Sequence, residues 1–203
     1  MSDLKAAHRA ALTGARRALP PETVAEASRT IVARVCEFRS FIESPAVLLY
    51  SATVGEVETE GIRAAAERRG TPVYYPRPVP GNRDLEFVRV RPGELLRSGT
   101  WGIGEPFGND RFPRGATGVL ILPGLGFDRT GTRLGRGGGH YDRAIRQYRP
   151  PVTVVGLAFA LQIVSSLPRC EWDEAVNVIV TELEVVECVG GSTRQARVPA
   201  GSE

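Results

Sequence analysis

Short apolar runs separated by helix-like segments restrict what this 203-residue chain can fold into. Residues 46–50 (AVLLY) and 119–122 (VLIL) read as strands buried on both faces, and 152–159 (VTVVGLAF) and 176–180 (VNVIV) supply two more. Helices are predicted over 3–18, over 21–38 with apolar residues three and four apart, over 59–69 up to Gly70, and over 140–148. VYY at 73–75 is a further strand, and LEFVRV at 85–90 alternates like a strand with one wet face. Segment 91–117 reads as Gly/Pro-rich loop. Strands alternating with helices predict an α/β fold around a parallel sheet. Residues 1–188 are expected to form one domain, with 189–203 a disordered polar tail.

Composition closes off several functions. No apolar run nears the roughly 20 residues that span a bilayer, and the N-terminus has no apolar signal core, so a cytoplasmic protein is expected. Cys36, Cys170 and Cys188 lack the spacing of a zinc site or a disulfide framework. A net charge of +3 is too small an excess to imply nucleic acid. Only two histidines occur, His8 and His140, which leaves little for a Ser-His-Asp machine.

The densest chemical signal is 120–143, LILPGLGFDRTGTRLGRGGGHYDR. Seven of the sixteen positions 124–139 are glycine, against roughly one at background usage. Such a backbone can approach a ligand closely, and the helix that follows adds positive partial charge, so the segment reads as an anion site. Arg133 and Arg136 offer forks that match phosphate oxygens, and Asp142 offers oxygen to a divalent cation. The pattern is neither a P-loop nor a dinucleotide fingerprint. A plain Arg/Gly loop capped by Asp142, or an RNA contact, stay open on spacing alone.

LPGLGFDRTGTRLGRGGGHYDR resembles the signature of the 5-formyltetrahydrofolate cyclo-ligase (methenyltetrahydrofolate synthetase) family. Lys5 and Arg9 match its N-terminal Lys-x-x-x-Arg, and Arg16-Arg17-Ala18-Leu19 resembles the Arg-x-x-Leu after it. Gly55-Glu56-Val57-Glu58-Thr59, Tyr75-Pro76-Arg77, Trp101-Gly102-Ile103 with Glu105-Pro106, and Leu167-Pro168 with Asp173 and Thr181-Glu182 follow in the family's order. The resemblance covers residues 4 to 182.

That resemblance implies a three-layer α/β/α domain with a Rossmann-like, mostly parallel sheet (NagB/RpiA/CoA-transferase-like). It implies an enzyme that takes 5-formyltetrahydrofolate and MgATP to 5,10-methenyltetrahydrofolate, ADP and phosphate; a monomer is expected, with an oligomer left open. The formyl oxygen is phosphorylated, and a neighbouring folate nitrogen closes the ring and expels phosphate. Lys5, Arg9, Arg133, Leu134, Gly135, Arg136, Gly137, Gly138, Gly139, His140, Tyr141 and Asp142 would hold ATP, and Asp142 and Asp173 the Mg²⁺. Arg133 and Tyr141 form the implied catalytic pair, Arg133 on the transferring phosphoryl group. Glu56, Leu85, Trp101 and Tyr141 would meet the folate. Arg133→Ala is expected to remove a phosphate partner and no core packing. His140 replaces the family's usual tyrosine or phenylalanine and Leu85 its frequent methionine, which leaves a cyclodehydratase acting on another N-acyl substrate as the alternative.

Overall fold

Residues 47–49 show how the main sheet is built. Val47 and Leu49 point into one core and Leu48 into the other, the period-2 alternation of a strand covered on both faces. The computed structural model describes residues 2–99 and 102–188, so the expected tail at 189–203 and Trp101 lie outside the described residues. Seven strands form the main sheet: β1 (Val47–Leu48), β2 (Val73–Pro78), β3 (Leu85–Val90), β6 (Gly118–Pro123), β9 (Val152–Leu157), β11 (Val178–Val180) and β12 (Val185–Glu187), in the order β12-β11-β9-β6-β1-β2-β3. Its five central strands are parallel, and the edge strands β3 and β12 are antiparallel to their neighbours. Two smaller sheets hold the other strands: β4 (Arg97–Ser98) pairs with β5 (Gly104–Glu105), and β7 (Gly126–Asp128) lies between β8 (Arg133–Leu134) and β10 (Ile163–Val164).

Helices cover both faces. α2 (Pro21–Glu37) carries Val24, Ala27, Ile31 and Val35 on one stripe, and α4 (Glu60–Arg68) adds Ile62, Ala65 and Ala66. These pack with Val47, Val73, Val119, Ile121, Val155 and Val178. Each fully buried Val or Ile side chain contributes roughly 1.5–3 kcal/mol. A single turn, α3 (Arg39–Ile42), follows α2. On the opposite face α5 (His140–Tyr148) buries Ala144, Ile145 and Tyr148 against Leu48, Leu120, Val154 and Ile179. α1 (Ser2–Arg17) lies apart from both, with Leu12 packed on Leu134 and Leu167 beside the three-stranded sheet.

Segment 91–117 is not all loop, since β4 and β5 pair within it, and two further sequence expectations change. Strand 85–90 is not half wet: Leu85, Phe87, Val88 and Val90 are all buried, because α5 covers one face (the Phe87 and Tyr148 rings lie 5.4 Å apart) and Val90 joins the core on the other. The glycine-rich segment is not all loop, since it contains β7 and β8. Their partners are each other and the distant β10, which local patterning does not disclose.

The order of the main sheet places the site. The chain runs β1, β2, β3 towards one edge, then returns to the other side of β1 for β6, β9 and β11. The reversal falls between β1 and β6, the place where open α/β sheets hold ligands beyond the strand C-termini.

Candidate active site

Beyond the carboxyl ends of β1 and β6 opens a cavity of about 830 Å³. Its central wall is the stretch 133–142. The loop that leads to it is fixed from below: Gln162 donates to the carbonyls of Gly124 (2.8 Å) and Leu125 (3.0 Å) and accepts from Phe159 N–H. Asp128 is a buried carboxylate that accepts from Thr130 N–H, Thr130 Oγ1, Thr132 N–H and Leu167 N–H, which ties the β7–β8 turn to the segment before β11. After β8 the chain needs left-handed backbone at Gly137 (φ 103°) and again at Gly139 (φ 71°), which only glycine adopts without strain. Gly139 precedes α5, whose N-terminus has no side-chain cap. Its first-turn N–H groups and its dipole therefore remain available to an anion.

Arg133 is a deeply buried charge in this wall. Its side chain is 3% exposed, donates to Asp142 Oδ2 at 3.1 Å, and lies 5.6 Å from the Tyr141 ring centroid. Its Nε is buried and has no partner among the described residues. Arg133 is thus part of the packed wall, which corrects the expectation that alanine there would remove no packing. Asp142 Oδ1 accepts from Glu174 N–H at 3.3 Å. Arg9 donates to the carbonyl of Gly135 at 2.9 Å, and Lys5 pairs with Asp173, whose Oδ2 also accepts from Cys170 N–H. Burial pulls the Lys5 ammonium down, but hydrogen bonds to Asp173 and Cys170 outweigh it and leave its pKa raised. Lys5, Arg9 and Arg16 all line the cavity, four and then seven residues apart on one face of α1.

A second network stands on the β1 side. Glu56 is buried, accepts from Thr53 N–H (3.0 Å) and Arg136 Nη2 (2.9 Å), and has Arg16 Nη1 at 3.7 Å. Burial, opposed by Glu56, lowers the Arg16 pKa, and Arg16 Nε has no partner among the described residues. Tyr50 donates to the carbonyl of Val57. Leu85, Pro76, Pro78 and Ile103 continue this wall as an apolar surface. His140 donates from Nδ1 to the carbonyl of Arg83 at 2.9 Å.

Burial raises the pKa of Tyr50, Tyr75 and Tyr141, with the Glu56 charge adding to it at Tyr50 and Tyr141; Tyr75 is pushed up from 10.0 to about 12. An unfolded chain releases these protons near pH 10, whereas the folded one retains them. Stability is therefore complete below pH 10 and falls as pH climbs towards 12, by roughly 1.4 kcal/mol per pH unit for each such tyrosine. Melting temperatures on both sides of pH 10 check this. A curve that stays flat through that window contradicts the burial of these phenols.

The amino-acid sequence matches the 5-formyltetrahydrofolate cyclo-ligase family over residues 1–182. The chain belongs to that family. Its members are ligases, and the protein is an enzyme of this class. The 5-formyltetrahydrofolate cyclo-ligase of Escherichia coli K12 is 33% identical over 176 residues, covering 85% of this chain and 97% of the relative. The mouse enzyme of that name is 30% identical over 185 residues, covering 86% and 91%. The NMR structure of 5,10-methenyltetrahydrofolate synthetase from Aquifex aeolicus superposes with a TM-score of 0.81 at 28% identity, over 96% of this chain and 97% of that one. The mostly parallel α/β architecture expected from the cyclo-ligase resemblance is the one observed. Among the described residues no helix is long and apolar enough to cross a membrane.

Of the positions singled out by the cyclo-ligase signature, Lys5, Arg9, Glu56, Leu85, residues 133–142 and Asp173 line this one cavity, although they come from five separate stretches of chain. Sequence reasoning did not assign Tyr50, Gln162 or Trp172 to the site, and passed over Arg16 as part of a matching motif. Arg16 continues the helical face of Lys5 and Arg9, a signal that was present at spacing 5, 9, 16. Nothing local marks the other three.

Proposed function

We propose that the protein closes 5-formyltetrahydrofolate to 5,10-methenyltetrahydrofolate, consuming ATP with Mg²⁺ and releasing ADP and phosphate. The observation that carries this is the wall 133–142. In it an uncapped helix start, two left-handed glycines and a buried arginine with an unpartnered Nε meet in one cavity, within a chain of the cyclo-ligase family.

The residues fit the groups the reaction needs. Phosphates suit the N–H groups of 135–141 and the cations Lys5, Arg9, Arg133 and Arg136. Mg²⁺ takes one or two carboxylates alongside phosphate oxygens and water, and Asp142 and Asp173 both face the cavity. Bound there, the ion would neutralise phosphate charge. Arg133 is held by Asp142 and Tyr141 before any ligand arrives, so its donors are preorganised for the charge on the transferring phosphoryl group. Glu56, fixed by Thr53 and two arginines, is an acceptor for N–H groups of the pterin, and Leu85 and the neighbouring prolines cover its ring. Tyr141 remains a neutral phenol at any physiological pH and packs between Arg133 and the substrate. The formyl oxygen takes the γ-phosphoryl group as its bond to ADP breaks; the folate nitrogen then adds to the formyl carbon and gives up its proton to solvent, and the carbon–oxygen bond breaks to release phosphate. No protein nucleophile is required, and positioning and charge neutralisation carry the rate.

Purified protein mixed with 5-formyltetrahydrofolate should generate the strongly absorbing methenyl product only when both ATP and Mg²⁺ are added, with one ADP per product. Phosphate release that ignores folate but follows an N-acyl serine compound would replace the folate by the cyclodehydratase reading. Absence of both product and ADP across pH 6 to 9 overturns the proposal.

A further inference from the structure

Trp172 is out of place for a core residue: it lines the cavity with 58% of its surface exposed, and belongs to none of the buried clusters. Its backbone, by contrast, is fixed. Cys170 N–H donates to Asp173 Oδ2 (2.7 Å), Asp173 N–H donates to the carbonyl of Cys170 (3.1 Å), and Arg146 Nη2 donates to the carbonyl of Trp172 (2.9 Å). A flat apolar ring is thus held open to the cavity by a turn that cannot easily fold it away. Such a ring is a stacking surface.

We propose that Trp172 is the platform for the purine base of the nucleotide, an inference that rests on the ATP-dependent reading above. Its neighbours decide between the two ring systems the reaction brings. The turn 170–173 precedes β11 and is tied to Lys5, so it flanks the phosphate wall on the β9–β11 side of the sheet. Glu56, Pro76, Pro78 and Leu85 flank the same wall on the β1–β3 side. Phosphates in the centre and a pterin on the β1–β3 side leave the opposite arm to the base. There Lys5 pairs with Asp173, the residue after Trp172, so the turn that carries the ring also reaches the phosphate and metal end of the cavity.

The chain has two tryptophans, so a Trp101→Phe background makes Trp172 the sole indole reporter. With Mg²⁺ present, ADP should quench its emission saturably, and tripolyphosphate, which has no base, should bind without quenching. In calorimetry Trp172→Ala should bind ADP roughly five- to hundredfold more weakly while keeping its tripolyphosphate affinity, and Trp172→Phe should recover most of the loss. Equal losses for both ligands, unchanged ADP affinity, or a loss confined to 5-formyltetrahydrofolate would each overturn the platform while leaving nucleotide binding intact. A wild-type chain that binds neither ADP nor tripolyphosphate overturns the proposed function, and this inference with it.

Discussion

Arg133→Ala should lose about a hundred- to thousandfold in turnover and, in addition, about 3 kcal/mol of folding stability. An arginine that only reached for phosphate from the surface would show the first effect alone. Arg133 is enclosed, with Asp142 as its ion-pair partner and the Tyr141 ring against it. Deleting it leaves Asp142 with an uncompensated charge in a mostly buried place, and breaking such pairs costs about 3–5 kcal/mol. The lower figure applies because Asp142 also faces the cavity, where water can reach it. For a chain of this size the loss corresponds to roughly 6–12 °C in melting temperature. Arg133→Lys separates the two roles: the retained charge should restore part of the stability, whereas the lost fork should leave turnover low. Thermal melts and steady-state rates of both variants check the account. Wild-type melting of the alanine variant would place the side chain outside the wall, and wild-type turnover would remove it from the chemistry.

The second large effect is at Phe127, whose ring supports the same wall from behind. It is fully buried, and β-carbons placed at Gly124 and Gly156 would come within 2.5 Å of it, so β9 and the turn after β6 approach this ring as closely as glycine allows. On β7 it pairs with Arg133 of β8. Phe127→Ala should cost about 3–5 kcal/mol from lost burial and the cavity left behind, and should lower turnover as well, since Arg133 then rests on a looser hairpin. Phe127→Leu should cost less in both. Chemical denaturation, with an unchanged dependence on denaturant and a lower midpoint, measures the first effect. An alanine variant of wild-type stability would contradict the close packing of β6, β7 and β9 around this ring.

Much of the architecture was legible because it depends on local periodicity. Val24, Ile31 and Val35 recur at helical spacing, and the run 119–122 has no polar face to present, so α2 and β6 follow from sequence alone. The β7–β8 hairpin was hidden, since glycine and arginine depress strand propensity and β10, one of its partners, lies 36 residues away at the Phe127–Ile163 pair. The same division holds at the site. Glycine density marked 135–139 as an anion cradle, and the signature order brought in Lys5, Glu56 and Asp173. The pairs Lys5–Asp173 and Arg9–Gly135 join residues more than a hundred positions apart, and Arg133–Asp142 forms only because α5 starts where Gly139 turns. Trp172 and Tyr50 were invisible for another reason: nothing in a sequence distinguishes an aromatic ring facing a cavity from one filling a core.

The central claim is that the turn entering α5 holds the terminal phosphates of a nucleotide. Backbone amide NMR during titration with tripolyphosphate and Mg²⁺ addresses it directly, since the ligand then offers phosphates and nothing else. The account expects the largest shifts at the amides of 135–141, saturating together, with smaller ones at Lys5 and Arg9. Unmoved glycine amides, with saturable shifts gathered elsewhere in the chain, would contradict it.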